Sequence, residues 1–117
     1  MTTSGEGSWL RWVDPHPLIL ALCQGWQPVG ILAADVTAFL FQHGCQNTAH
    51  HCAAVALEAA RIADLFGADC HLAAQAGRLH DVSAGWPAGQ RLAVAQARGL
   101  DILPEERQLP MILHQKL

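Results

Sequence analysis

Apolar residues recur along this chain with a helical period. Between positions 30 and 43 they follow an i, i+4, i+8 rhythm that predicts an amphipathic helix, and Gly44 is placed to end it. An alanine-rich stretch predicts a long second helix that Asn47 or Thr48 caps and Gly67 ends. No segment of five residues alternates strictly with β-branched character. The sequence therefore predicts an all-α fold.

The second half of the chain predicts shorter helices. Asp69 is placed to cap a third helix that continues to His80, and residues 88–98 predict a fourth helix. Pro104 and Pro110 each lie near the first turn of a further short helical piece. These segments together predict a bundle of about five helices.

The chain is predicted to contain one domain. Its 117 residues suffice for one compact core. Residues 29–117 carry the helical pattern and form this domain, whereas residues 1–28 are predicted to be an N-terminal extension that includes three of the four tryptophans.

Composition and charge exclude several functional classes. With 51% hydrophobic and 15% charged residues, the chain does not have a disordered composition. A formal net charge of −3, from 7 basic and 10 acidic residues, leaves no electrostatic excess for gripping nucleic acid. The most apolar region, residues 17–42, is interrupted before it reaches the length of a membrane span. We expect neither a nucleic-acid partner nor a membrane partner.

The cysteine pattern predicts the compartment. Cys23, Cys45, Cys52 and Cys70 include no Cys-x-x-Cys pair, and the first ten residues lack the basic and apolar parts of a signal peptide. Reduced thiols in a cytoplasm fit this pattern better than a disulfide framework or a zinc ribbon. The predicted localisation is therefore cytoplasmic.

The dipeptide His80-Asp81 is a candidate metal site. It ends an apolar helix just before a Gly/Pro break, where both side chains can face a cleft. A carboxylate next to a neutral imidazole can bind one divalent metal, and its second oxygen is free to bridge to another. The alternative is that the two residues simply cap the end of the helix.

A second histidine, His51, lies in the first turn of the long helix. The residues that follow it on the predicted inward face are Val55, Ile62 and Phe66. His51 is either a metal ligand that faces His80 or a core histidine bonded to a backbone carbonyl. Alanine and glycine are frequent on both helices, so their backbones can approach closely enough for the first role.

His114 is the third candidate, and three apolar residues precede it. Three histidines and one aspartate on separate helices would make a pocket of the binuclear type. A thiol nucleophile or a zinc site at Cys45 or Cys52 is a weaker alternative, because no oxyanion signature or second ligand pair accompanies these cysteines.

Several blocks of sequence resemble HD-domain phosphohydrolases. They are residues 48–52 (TAHHC), 63–69 (ADLFGAD), 76–81 (AGRLHD), 102–107 (ILPEER) and 110–117 (PMILHQKL). The similarity covers roughly residues 30–117 and is greatest to the YqeK-like branch, whose best-known members are symmetrical diadenosine tetraphosphate hydrolases.

The resemblance implies a di-metal site, commonly of iron, with manganese, magnesium or zinc as alternatives. His51, His80 and Asp81 would hold the first metal, Asp81 would bridge, and His114 would bind the second metal. His80 and Asp81 would be the catalytic residues, since a metal-activated hydroxide attacks phosphorus in these enzymes. The expected substrate is a nucleotide or a dinucleoside polyphosphate.

Two departures from the family pattern lead to further expectations. The family uses another histidine and a final aspartate downstream of the position of His114, and this chain ends three residues after it. The HD domain is therefore expected to be incomplete at its C-terminus and to form a homodimer through uncovered apolar faces. Ala84 stands where the hydrolases tend to have a lysine, which leaves the nucleotide specificity open. The alternative function is a catalytically incomplete fragment that acts as a dimerising or metal-binding module.

Overall fold

The computed structural model describes residues 16–117, and every regular element within that range is helical. The α-helices are α1 (Pro17–Cys23), α2 (Leu32–Gln42), α3 (Gln46–Leu65), α4 (Cys70–Leu79), α5 (Ala88–Ala97) and α6 (Pro104–Gln108). Two 3-10 helices span Val82–Gly85 and Pro110–Gln115. The predicted all-α class is confirmed, and the first fifteen positions of the predicted extension lie outside the described residues. In residues 16–117, no helix has both the length and the apolarity to cross a bilayer.

Local sequence signals account for most helix ends. Gly44 and Gly67 adopt positive φ angles of 73° and 70° after α2 and α3, as the sequence predicts. Asp69 caps α4, because its carboxylate accepts hydrogen bonds from the backbone N–H groups of His71 and Leu72 at 2.9 and 3.0 Å.

The predicted start of α3 at Asn47 or Thr48 is wrong. The helix begins at Gln46, and Cys45 is its N-cap residue without a side-chain capping bond. The Cys45 N–H donates to the Leu40 carbonyl at 2.8 Å, so the turn at Gly44 closes tightly and α3 follows at once.

Helices α3 and α4 pack with their backbones in close approach at Gly77. A Cβ atom on this glycine would lie 3.0 Å from both the Cα and the N of Ala56. The prediction that small residues let these two helices approach each other is therefore confirmed.

The predicted inward face of α3 is wrong at Ile62 and Phe66, whereas Val55 is half-buried. The buried residues of α3 are Ala49, Cys52, Ala56 and Ala63. Phe66 is 82% exposed and Ile62 is 44% exposed. The close contact at Gly77 has room for Ala56 but not for a large side chain, and Ile62 and Phe66 face outward.

The main core lies between α1, α2 and α3. Its buried members are Leu22, Val36, Phe39, Leu40, Ala49 and Cys52. Trp26 packs against this cluster, and its indole N–H donates to the backbone carbonyl of Asp35 at 3.0 Å. The described part of the predicted N-terminal extension thus shares the core of the helical domain.

A second buried group holds the C-terminal 3-10 helix on α5. Leu113, Val94 and Ala95 have no exposed surface. The Lys116 ammonium lies 2.9 Å from Glu106 of α6 and donates to the Asp101 carbonyl, also at 2.9 Å. Pro110 opens the 3-10 helix, as predicted, and the helix carries His114 toward the end of α4.

Candidate metal centre

Three of the predicted ligands converge where α3 passes the end of α4. The Nε2 atoms of His51 and His80 lie 3.2 Å apart. Asp81 Oδ2 lies 3.1 Å from His80 Nε2 and 3.5 Å from His51 Nε2. These three residues form a group of side chains that could hold a metal ion.

The spacing of the three donor atoms suits a divalent cation. An ion with ligands at about 2.1 Å has neighbouring ligand atoms roughly 3.0–3.4 Å apart in tetrahedral or octahedral geometry. The observed separations of 3.1, 3.2 and 3.5 Å lie in or next to this range. The donor atoms of two imidazoles and one carboxylate are therefore spaced suitably for binding one ion.

The backbone positions each ligand through a local feature of the fold. Cys52 is fully buried in the main core, whereas its neighbour His51 lies at the surface with its side chain 54% exposed. His80 is the C-cap residue of α4, and Asp81 follows in a turn that leads into the next 3-10 helix. The small residues that draw α3 to α4 thereby place His51 opposite the His80-Asp81 pair.

Backbone carbonyls fix the proton on two of the imidazoles. His80 Nδ1 lies 2.7 Å from the Gly77 carbonyl, and His114 Nδ1 lies 3.1 Å from the Met111 carbonyl. A carbonyl oxygen can only accept, so each Nδ1 carries a hydrogen and each neutral ring presents a lone pair at Nε2. This is the arrangement that orients histidine ligands in metal sites.

The group formed by His51, His80 and Asp81 contains several hydrogen-bond acceptors close together. In the neutral tautomer with hydrogen on Nδ1, the lone pair of His80 Nε2 would face the Asp81 carboxylate at 3.1 Å, and the carboxylate is itself an acceptor. A cation placed among these atoms would interact favourably with all of them. The donor set of imidazole nitrogens and carboxylate oxygens therefore fits a divalent metal ion.

His114 reaches the opposite oxygen of the same carboxylate. Its Nε2 lies 3.8 Å from Asp81 Oδ1, whereas His51 and His80 lie near Oδ2. His114 is outside the three-residue group that could hold one ion. Asp81 thus separates His51 and His80 on one oxygen from His114 on the other.

The capping alternatives fit these residues unequally. Asp81 precedes a 3-10 helix and makes no side-chain capping bond to it. His51 is exposed and lies beside His80, so it is not a core histidine. His80 does bond to a carbonyl through Nδ1, but its Nε2 faces His51 and Asp81.

An open cavity of about 310 Å³ adjoins the group on the His114 side. Its lining residues are Thr48, Asp81, Ala84, Arg91, Met111, Ile112 and His114.

The sequence motifs did not identify Arg91 as a candidate site residue. The helical spacing could have indicated this residue. Arg91 lies three and four positions before Val94 and Ala95, which are buried on the same face of α5. A charged residue on a buried face requires an explanation.

The remaining candidates lie elsewhere. His43 is not among the predicted ligands; it is half-buried, and its Nε2 lies 2.8 Å from the Leu22 carbonyl. All four cysteines are unpaired. Burial raises the pKa of the Cys52 thiol, which disfavours a thiolate nucleophile at that position.

Comparison with known proteins gives a local similarity only. No protein-family profile matches the sequence, and no solved structure matches the chain. A protein of Lactococcus lactis subsp. cremoris, described as an uncharacterized protein in the pepC 5' region, is 45% identical over 42 residues. The match covers 36% of this chain and 22% of that protein.

Proposed function

We propose that this chain is a metal-dependent phosphohydrolase of the HD type that acts on a nucleotide or a dinucleoside polyphosphate. The observation that carries the proposal is the convergence of His51, His80 and Asp81 within 3.5 Å of one another. The resemblance of the sequence blocks to HD-domain enzymes supports the same assignment. We place the protein in the cytoplasm, where four unpaired cysteines would stay reduced.

His51, His80 and Asp81 would hold a first divalent ion, and His114 would bind a second one beside Asp81. The resemblance to HD-domain enzymes favours iron, and a donor set of two imidazoles and one carboxylate suits iron or zinc. The chemistry that such ions supply is the acidification of water near neutral pH and the neutralisation of phosphoryl charge.

The protein's own groups orient the reaction. The Gly77 and Met111 carbonyls hold the rings of His80 and His114 in the tautomer that exposes Nε2. Asp81 contributes one oxygen to each side of the site. The adjoining cavity gives a phosphate ester access to Asp81 and His114.

Hydrolysis assays after metal reconstitution test the proposal. The chain is freed of metal, loaded with Fe(II), Mn(II), Mg(II) or Zn(II), and incubated with diadenosine tetraphosphate and with mononucleotides. We expect chelator-sensitive hydrolysis that falls at least ~100-fold in Asp81→Asn and His80→Ala, because a directly coordinating ligand matters more than its supporting shell. His71→Ala is the matched control, since His71 is an exposed histidine at the other end of α4.

Two results would contradict the proposal. Hydrolysis that survives in both ligand variants would place the chemistry elsewhere. Stoichiometric metal binding without turnover of any substrate would favour the alternative function, a metal-binding or dimerising module.

A further inference from the structure

Arg91 is a buried cation beside the candidate metal centre. The residue is 9% exposed and lies on α5, among the residues that line the cavity next to Asp81 and His114. Its Nη1 donates to the Met111 carbonyl at 3.1 Å. Within residues 16–117, its buried Nε has no hydrogen-bond partner. The guanidinium, with five N–H donors, is therefore only partly satisfied.

The charge of Arg91 is uncompensated in the described part of the chain. No carboxylate in residues 16–117 forms an ion pair with it, although the protein carries a net negative charge. Burying an arginine without an anionic partner has a desolvation cost, which an anion bound beside it would offset. The cavity is the place from which such an anion can approach.

Another lining residue of the cavity adds a second favourable element. Thr48 lies in the first turn of α3, a helix of 20 residues whose N-cap side chain makes no capping bond. The first-turn N–H groups of a helix carry a partial positive charge that favours anions. Arg91 and the N-terminal end of α3 therefore both favour the binding of an anion in the cavity.

We propose that Arg91 binds a phosphate group of the substrate in this cavity. The inference rests on the proposed function and deepens it, because it gives the site a second anchor besides the metal group. A guanidinium matches phosphate oxygens in a fork geometry. Two anchors suit a substrate with a chain of at least two phosphates better than a simple phosphate monoester.

The cavity size fits this assignment. Sites for whole small molecules occupy about 300–1,000 Å³. A cavity of about 310 Å³ is at the lower end of this range and matches a short phosphate segment, with the nucleoside outside it.

Calorimetric titration with inorganic phosphate tests the proposal in the chain as purified and after metal loading. We expect Arg91→Met to weaken phosphate binding about 10- to 100-fold, since a hydrogen bond to a charged group is worth that much. Arg91→Lys keeps the charge and should lose less. Arg107→Met removes the same charge from an exposed position on α6 and should change the dissociation constant less than about twofold. Melting temperature and metal content separate a binding role from a structural one.

An NMR titration of the wild-type chain keeps the test independent of variant stability. The buried Nε–H of Arg91, assigned by its absence in Arg91→Lys, should shift as phosphate is added. Phosphate binding that leaves this resonance unmoved, or that is unaltered in a folded Arg91→Met variant, would overturn the inference. Binding through Arg91 in a chain that hydrolyses nothing would refute the proposed function alone. Hydrolysis without any role of Arg91 would refute this inference alone.

Discussion

At the scale of single residues, the candidate metal site depends on Asp81 and on the three histidines around it. Asp81 is central because its two oxygens face different histidines: His51 and His80 lie near Oδ2, and His114 lies near Oδ1. Backbone carbonyls, which substitution cannot remove, orient two of the three rings. The ligand set is therefore positioned by main-chain geometry as much as by side-chain packing.

Glu106 makes a testable contribution to stability at this scale. It is buried, accepts the Leu103 backbone N–H and pairs with Lys116, each at 2.9 Å. The Leu103 N–H first, and then the Lys116 ammonium, hold the pKa of Glu106 below its ordinary value. Its stabilisation is therefore present above the ordinary glutamate pKa and is lost as the pH falls through the lowered value.

We expect Glu106→Gln to be less stable than the wild type at neutral pH and to approach it under acid conditions. Urea unfolding across this pH range measures the difference. Glu105→Gln, at an exposed neighbouring position, is the control and should show no such trend. A stability difference that stays constant with pH would contradict this assignment.

At the scale of elements, the α3–α4 pair determines the site. Gly77 and Ala56 set the distance between the two helices, and that distance places His51 opposite His80. Because the contact involves backbone atoms, neither helix can yield locally to an added methyl group.

Gly77→Ala should therefore destabilise the protein. Overpacking costs about 1–3 kcal/mol, and the better helix propensity of alanine recovers up to ~1 kcal/mol. We expect a net loss of up to about 2 kcal/mol in denaturant unfolding, together with weaker metal binding as His51 and His80 separate. Gly89→Ala on α5 is the control, since its Cβ would meet open space. Equal effects of the two substitutions would contradict the close-packing account.

The C-terminal 3-10 helix gives a second prediction at this scale. Leu113 is fully buried, whereas Leu109 is 62% exposed. Leu113→Ala should cost about 2–5 kcal/mol and loosen the segment that carries His114, while Leu109→Ala should stay within roughly 0.5 kcal/mol. Thermal or denaturant unfolding of the two variants tests this contrast. A mild effect at Leu113 would mean that the 3-10 helix is not anchored by its core contact.

The elements show how far sequence reasoning reaches in this protein. Helix ends with a local cause were predictable, as at Gly44 and Asp69. The inward face of α3 was not, because periodicity treated large apolar residues as the buried ones, whereas the contact with Gly77 selects alanines. No helix was predicted in the N-terminal extension, whereas Pro17–Cys23 form α1.

The candidate site also contains residues that the sequence identified and one that it did not. The spacing of His51, His80 and Asp81 in recognisable blocks pointed to residues that the structure brings together. Arg91 belongs to no block, and its meaning depends on the 3-10 helix packing across α5. Long-range contacts of this kind are not encoded in local patterns.

At the scale of the whole molecule, large apolar side chains are exposed along α3 and α4 and at the turn between them. They are Leu57, Ile62, Leu65, Phe66, Leu72 and Leu79. Exposed apolar residues in such numbers are typical of surfaces that another protein covers. A second copy of this chain is the partner that the sequence predicts.

We therefore expect a homodimer that dissociates on dilution. Phe66→Glu, at a position 82% exposed, should weaken dimerisation at least about tenfold, because a charge replaces a large apolar contact. Val29→Glu, 70% exposed and outside these helices, is the control. Sedimentation velocity over a wide concentration range measures both variants. A wild-type chain that stays monomeric at every concentration would contradict this prediction.

The most direct test of the central claim is native mass spectrometry of the chain purified without chelators or metal-affinity resin. The account predicts at least one bound metal per chain, lost in a folded Asp81→Asn variant and retained in His71→Ala. A second, weaker metal should disappear in His114→Ala. Equal metal content in the wild type and in folded Asp81→Asn, or no metal after reconstitution, would contradict the account.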